Sequence, residues 1–345
     1  MKASIGKILK IAIPTVVTVG LCFVLFTGID FNEMLDVIRH ECNFMWIALG
    51  MFLSVIAQII RAARWRLQLN ALDIFPPFFP IVLSIFGTYA VNIVFPRLGE
   101  IWRTGYISAR QKAPFATVFG SMVGDRVADL VFVAFLTLIT FFIASPAFVA
   151  FIARYPDAYK AIGEFLSSPV TWGIFIGLLT VCVLLYLKFS DNRIVNRIKK
   201  ALKELWHGFA IVISMKSRWW FIVLTFALWG CYFMQLYVAF FAFPFTKELI
   251  ADNGIICALV CFILSSIAMG IPSNGGIGPW QLAVIFSLSL YAPAGVSVAT
   301  GSTFHTNMAA FANLVMGMET LLLIVLGIFT FICIGFEKHR ISKSK

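Results

Sequence analysis

Hydrophobic residues fall in blocks along this chain, several of them about 20 residues long, the length that carries a helix across a bilayer. Such blocks occupy positions 8–29, 44–60, 115–144, 169–189, 219–243 and 296–335. The last is long enough to bend or to project from the membrane. Two more apolar stretches, 75–95 and 254–292, are interrupted in the middle. The first breaks at Val94-Phe95-Pro96-Arg97-Leu98-Gly99-Glu100, where proline, glycine and charge stop a helix. The second breaks at Ile271-Pro272-Ser273-Asn274-Gly275-Gly276-Ile277-Gly278-Pro279.

The polar connections orient these blocks, because Lys and Arg accumulate on the cytoplasmic side. Lys2, Lys7 and Lys10 precede the first block and place the N-terminus inside. No small-x-small cleavage site follows, so that block reads as an uncleaved span. Positions 30–43 are acidic, with Arg39 the one Lys or Arg among them, and read as outside. Arg61, Arg64 and Arg66 read as inside, as does the basic tail 337–345. The strongest inside signal is 191–218, with Arg193, Arg197, Lys199, Lys200, Lys203, Lys216 and Arg218. Its amphipathic pattern predicts a helix along the cytoplasmic surface over 191–217.

These sides make the first broken stretch begin and end inside, and the second begin and end outside. Each is a re-entrant hairpin or a pair of short full crossings. The order span, hairpin, span then occurs twice, upside down: 44–144 with hairpin 75–113, and 218–335 with hairpin 254–293. Inverted repeats with broken helices are a common plan of secondary transporters. The expected fold is all-α, a polytopic transmembrane helix bundle forming one integral membrane domain over 1–345. It has about six full spans plus two oppositely oriented re-entrant hairpins, or about eight spans if the hairpins cross. Its expected place is the cytoplasmic (inner) membrane, multi-pass, with both termini cytoplasmic.

Composition removes the soluble alternative. Hydrophobic residues make up 61% and charged residues 12%, with a mean hydropathy of +0.94. Soluble domains carry roughly 25% charged residues. The net charge of +11 sits mostly in short connections, so it reports topology and not a nucleic-acid partner. The 7 cysteines are scattered without CxxC or Cys/His spacing, and no metal or cofactor is expected. No HExxH, GxSxG, Walker A loop or dinucleotide fingerprint occurs, and Gly120-Ser121-Met122-Val123-Gly124 has the wrong spacing for a nucleophile elbow. The chain therefore does not read as an enzyme.

Irregular backbone at membrane depth survives only where protein or a wet cavity satisfies it. The two breaks are therefore where a site is expected. Gly275, Gly276 and Gly278 either leave amides free for an anion, with a helix from near Trp280 aiming its positive end there, or simply permit a tight turn. Arg97 lies on the other break, and Glu100 and Arg103 share a helix face three residues apart. They form a phosphate-sized polar cavity, or they face cytoplasmic water. Asp125, Arg126 and Asp129 form an ion-paired patch on one helix. Arg126 is then a substrate or gating contact, or the patch holds the helix against the first hairpin. Asn92 and Gln281 flank the breaks, and His305, Asn307 and Asn313 are weaker polar candidates on the last block.

Asn92 with Pro96-Arg97-Leu98-Gly99-Glu100 and Arg103, then Asp125-Arg126 with Asp129, then Gly275-Gly276-Ile277-Gly278 make a combination. Through it, and through Arg64-Trp65, nearly the whole chain resembles the lysylphosphatidylglycerol synthase transmembrane-domain family, also called the flippase-like domain. Three positions depart from that family's habits. Gln281 and Asp125 stand where Glu is common, and His305 and Asn307 stand near a frequent Arg. The chain is expected to have no room for the soluble aminoacyl transferase of the bifunctional synthases. The resemblance thus implies lipid movement: a flippase-like or scramblase-like translocase of a phospholipid or polyprenyl-linked anionic lipid, through a polar cavity between two broken hairpins. Arg97, Arg103 and Arg126 would neutralise the headgroup, and membrane lipids would be the partners. The alternatives are a secondary transporter of a small anionic solute and a non-transporting membrane assembly protein.

Overall fold

The computed structural model describes residues 31–95, 98–144, 214–271, 273–293 and 295–343, with isolated positions 206 and 210. The expected spans at 8–29 and 169–189, nearly all of the surface helix at 191–217, and Arg97 lie outside the described residues.

Among the described residues every regular element is helical. In chain order they are α1 (Phe31–Glu41), α2 (Phe44–Ala71), α3 (Phe78–Val94), α4 (Leu98–Gln111), α5 (Phe115–Ile143), α6 (Arg218–Ala239), α7 (Pro244–Asn253), α8 (Ile255–Ala268), α9 (Pro279–Ser289) and α10 (Thr303–Lys343). Four segments are long and apolar enough to cross a membrane: Phe44–Ala71, Phe115–Ile143, Arg218–Ala242 and Thr303–Glu337. They coincide with four of the expected blocks. The pair α7 and α8, bent by 111°, makes a fifth if counted as one span. Leu130, Val131, Leu138 and Phe142 on α5 are exposed, as a lipid-facing side requires.

The start of α2 is set by Asn43, whose Oδ1 accepts from the Met45 amide at 3.1 Å. Its end differs from the expectation. The apolar block stops at position 60, yet the helix continues to Ala71. Arg61 and Arg64 therefore lie within this helix and not in a connecting loop. They lie on a buried helical face, 4% and 0% exposed, where acidic partners take up their charge.

The first broken stretch is a helical hairpin, with α3 and α4 folded back on one another. At 1.5 Å per residue the 17-residue α3 and 14-residue α4 are each shorter than a hydrocarbon core of about 30 Å. Asn92 clasps the hairpin: its Oδ1 accepts from the Gly99 amide at 2.8 Å, and its Nδ2 donates to Glu100 at 3.2 Å. Gly99 is required there, because a Cβ would collide with the Thr88 carbonyl. Gly99→Ala is therefore expected to cost about 1–3 kcal/mol, the usual scale of overpacking. Thermal unfolding of the purified variant in detergent measures this, and an unchanged midpoint would contradict the clasp.

The second broken stretch pairs α8 with α9 across a tip at Gly275–Gly278. Gly275, Gly276 and Gly278 have φ of 64°, 87° and 94°, backbone that other residues rarely adopt. The two hairpin ends lie close together: a Cβ added to Gly275 would come within 3.6 Å of Ile93 Cγ1. Each hairpin has its own core. Trp65, Leu69, Ile81, Ile85, Ile107 and Val118 bury one side, and Phe240, Phe243, Cys257, Cys261, Leu288 and Phe311 bury the other.

Candidate functional site

The charged residues of α2, α4 and α5 converge where the first hairpin meets the spans. Asp129 is a hub. Its carboxylate accepts from Arg61 Nη2 at 3.1 Å, Arg64 Nη2 at 2.7 Å and Trp229 Nε1 at 3.3 Å. Asp125 lies 2.7 Å from Arg64 Nη2 and 3.8 Å from Arg61 Nη1. Arg64 also donates to Thr225 Oγ1, and Arg61 to the Tyr232 hydroxyl. This knot ties α2, α5 and α6 together and is nearly closed to solvent.

Arg126 is not part of it. Adjacent helical residues point about 100° apart, so Arg126 turns away from Asp125 and toward the hairpin. There its Nη2 donates to Glu100 Oε1 at 2.9 Å. The expected pairing within one helix is thus replaced by two sets of pairs between helices. Glu100 bridges Arg126 on α5 and Asn92 on α3. Its side chain is 15% exposed and that of Arg126 36%, so this pair is reachable while the knot is sealed.

Arg103 is different again. It is 1% exposed and its guanidinium stacks 4.6 Å from the Trp65 ring centroid. Trp65 is itself fixed by donating to Ser121 Oγ at 3.1 Å. Nε and Nη2 of Arg103 have no hydrogen-bond partner, and no ion pair reaches it among the described residues. The described cluster therefore opposes the guanidiniums of Arg61, Arg64, Arg103 and Arg126 to the carboxylates of Glu100, Asp125 and Asp129. One positive charge is left over, and Arg103 is the cation whose Nε and Nη2 lack a hydrogen-bond partner among the described residues. A buried, desolvated cation with open donors is a place for an anion.

A family profile described as the lysylphosphatidylglycerol synthase TM region matches residues 9–315. The chain belongs to that family. A UPF0104 membrane protein of Methanocaldococcus jannaschii is similar to it, 23% identical over 309 residues that cover 85% of this chain and 89% of the relative. No solved structure matches the chain.

The remaining site candidates of this lysylphosphatidylglycerol synthase TM family member take other positions. Gln281 Oε1 accepts from the Gly278 amide at 2.6 Å, and its Nε2 donates to Asn313 at 3.3 Å. It caps the N-terminus of its own helix α9 and ties that helix to α10, whereas Asn92 joins the two arms of the first hairpin. The Ile277 and Trp280 amides donate within the tip, to the Asn274 and Gly276 carbonyls. Several amides expected to face a ligand are thus already used. His305, at the start of α10, donates its backbone amide to Ser302, and no hydrogen bond or ion pair ties it to the charge cluster.

Sequence reading missed Arg61 and Arg64 as site residues by treating them as topology markers. It also missed Glu319, the one charged residue in the 296–335 block. That isolation was a readable signal, because an ionisable group inside a span is costly and marks a role.

Proposed function

We propose that this membrane domain moves an anionic lipid across the cytoplasmic membrane, with the headgroup phosphate taken up at Arg103. The observation that carries this reading is the unpartnered, buried Arg103 guanidinium beside the accessible Glu100–Arg126 pair. A phosphate entering from the hairpin side would meet Arg126 first. Glu100 is its resident counter-ion there, and the arriving anion would exchange with it. Arg103 would then supply two charge-assisted donors in the fork geometry that phosphate favours.

The hairpins are re-entrant in this proposal and enter from opposite sides as an inverted repeat. Their short helices and the closeness of Gly275 to Ile93 support a meeting near the midplane. The partners are membrane lipids with anionic headgroups, either phospholipids or polyprenyl-linked lipids. Both termini lie in the cytoplasm. In this proposal the domain moves its cargo without bond chemistry.

The test is reconstitution of the full chain into liposomes carrying labelled lipids, phospholipids and undecaprenyl phosphate among them. Headgroup exposure at least tenfold faster than in protein-free vesicles is expected for an anionic lipid. No acceleration with any of them, together with uptake of a small anionic solute, would replace the lipid by a soluble anion.

A further inference from the structure

A second polar site lies apart from the headgroup cluster, at the middle of the apolar segment Thr303–Glu337 of α10. Glu319 sits there between two other spans. Ser54 on α2 donates to its Oε1 at 2.7 Å, and Gln235 Nε2 on α6 donates to its Oε2 at 2.8 Å. Both partners are neutral, and no ion pair to Glu319 exists among the described residues.

We propose that Glu319 is a proton-binding site of this membrane domain, exchanging one proton as α2, α6 and α10 shift against one another. The argument rests on the partners. A carboxylate is acceptor-only, whereas a carboxylic acid donates one hydrogen bond and accepts others. Gln235 donates in either state. The Ser54 hydroxyl can donate to the carboxylate, or rotate and accept from the acid. The site therefore satisfies both protonation states without a rearranged backbone. Asp125 and Asp129 have no such freedom, because protonating either would strand Arg61 or Arg64 in a dry knot.

The other groups around the site place it within reach of the headgroup cluster. On α2, Ser54, Gln58 and Arg61 follow at spacings of four and three and share one face. Gln58 is 3% exposed, and its Oε1 has no partner. Ser54 to Arg61 spans roughly 10 Å at 1.5 Å per residue. From α6, Tyr232 accepts from Arg61, and α3, which packs on α10, carries Tyr89. The helix α9 carries no titratable side chain. α1 meets α10 at Asn313 and brings Glu33, Asp36, Arg39 and His40 to that end. On α10 itself His305 and Glu337 stand near opposite ends. A proton at Glu319 would thus alter the tie among three spans one short polar stripe away from the lipid-binding cations. The assignment does not depend on lipid being the cargo.

Infrared difference spectra of the purified full chain in lipid nanodiscs, recorded between neutral and mildly acidic pH, test it. Expected is a carboxylic-acid C=O stretch that appears on acidification, is lost entirely in Glu319→Gln, and shifts in frequency in Ser54→Ala. Glutamine keeps the shape and can still hydrogen-bond both neighbours. Should that variant not fold, the Ser54→Ala shift decides alone. A spectrum unchanged in both variants overturns the proposal. So does a change at Glu319 that follows sodium concentration and ignores pH.

Discussion

Asp129→Ala is expected to destabilise the folded bundle by about 3–5 kcal/mol, the scale of removing one partner from a buried ion pair. Asp129 accepts from Arg61, Arg64 and Trp229, so one substitution removes hydrogen bonds from α5 to both α2 and α6 and leaves Asp125 as the one carboxylate of the knot. The larger cost comes from what remains. Arg64 is 0% exposed, and its charge would be left facing Asp125 alone, with Arg61 beside it. A fully dry guanidinium cannot shed its proton as a lysine can, so the bundle must open to water or lose packing. Arg126→Ala is the contrast. Its side chain is 36% exposed, and pairs of that kind contribute at most about 1 kcal/mol. Thermal unfolding of both variants in the same detergent measures the difference. Equal midpoints would mean that the knot is not what holds α2, α5 and α6 together.

Arg103→Gln is expected to leave the fold intact and to weaken retention of anionic lipid at least tenfold. The side chain stacks on Trp65 and, among the described residues, its Nε and Nη2 make no hydrogen bond. Shortening it to a neutral amide therefore breaks no internal ion pair. It also removes a buried positive charge whose burial is unfavourable without an anion. Stability should hold or rise slightly while binding falls. A charge-assisted hydrogen bond contributes about 1.5–3 kcal/mol, and one such bond lost corresponds to a tenfold or larger change. Native mass spectrometry of the wild type and variant, counting co-purified anionic lipid, reads this directly. Equal lipid retention with equal stability would remove Arg103 from the site.

Much of the architecture was legible because hydropathy and helix breaking act locally. The blocks 115–144 and 219–243 match α5 and α6 closely, and both hairpin breaks fall where Pro and Gly, joined by charge in the first, interrupt the apolar runs. Charge was harder to read, because its meaning depends on partners far along the chain. Arg61 and Arg64 look like cytoplasmic markers until Asp125 and Asp129, more than sixty residues later, are placed against them. The same distance hid the split between Arg126 and its neighbours. An i, i+3 spacing permits a pair within one helix, but it cannot show that Glu100 competes for Arg126 from another helix. Amide clasps were legible as positions and not as roles. Asn92 and Gln281 flank their breaks in sequence, yet only the fold shows each accepting from a glycine amide. The two differ in reach: Asn92 joins the two arms of its hairpin, and Gln281 caps the start of its own helix.

The central claim is that an anionic lipid crosses the membrane by way of Arg103. Its most direct test is headgroup exposure in liposomes reconstituted with equal amounts of folded wild type, Arg103→Gln and Arg126→Ala. The account predicts fast exposure of an anionic lipid with the wild type, a rate near that of empty vesicles with Arg103→Gln, and an intermediate rate with Arg126→Ala. Wild-type rates in Arg103→Gln, with the protein folded and inserted, would contradict it.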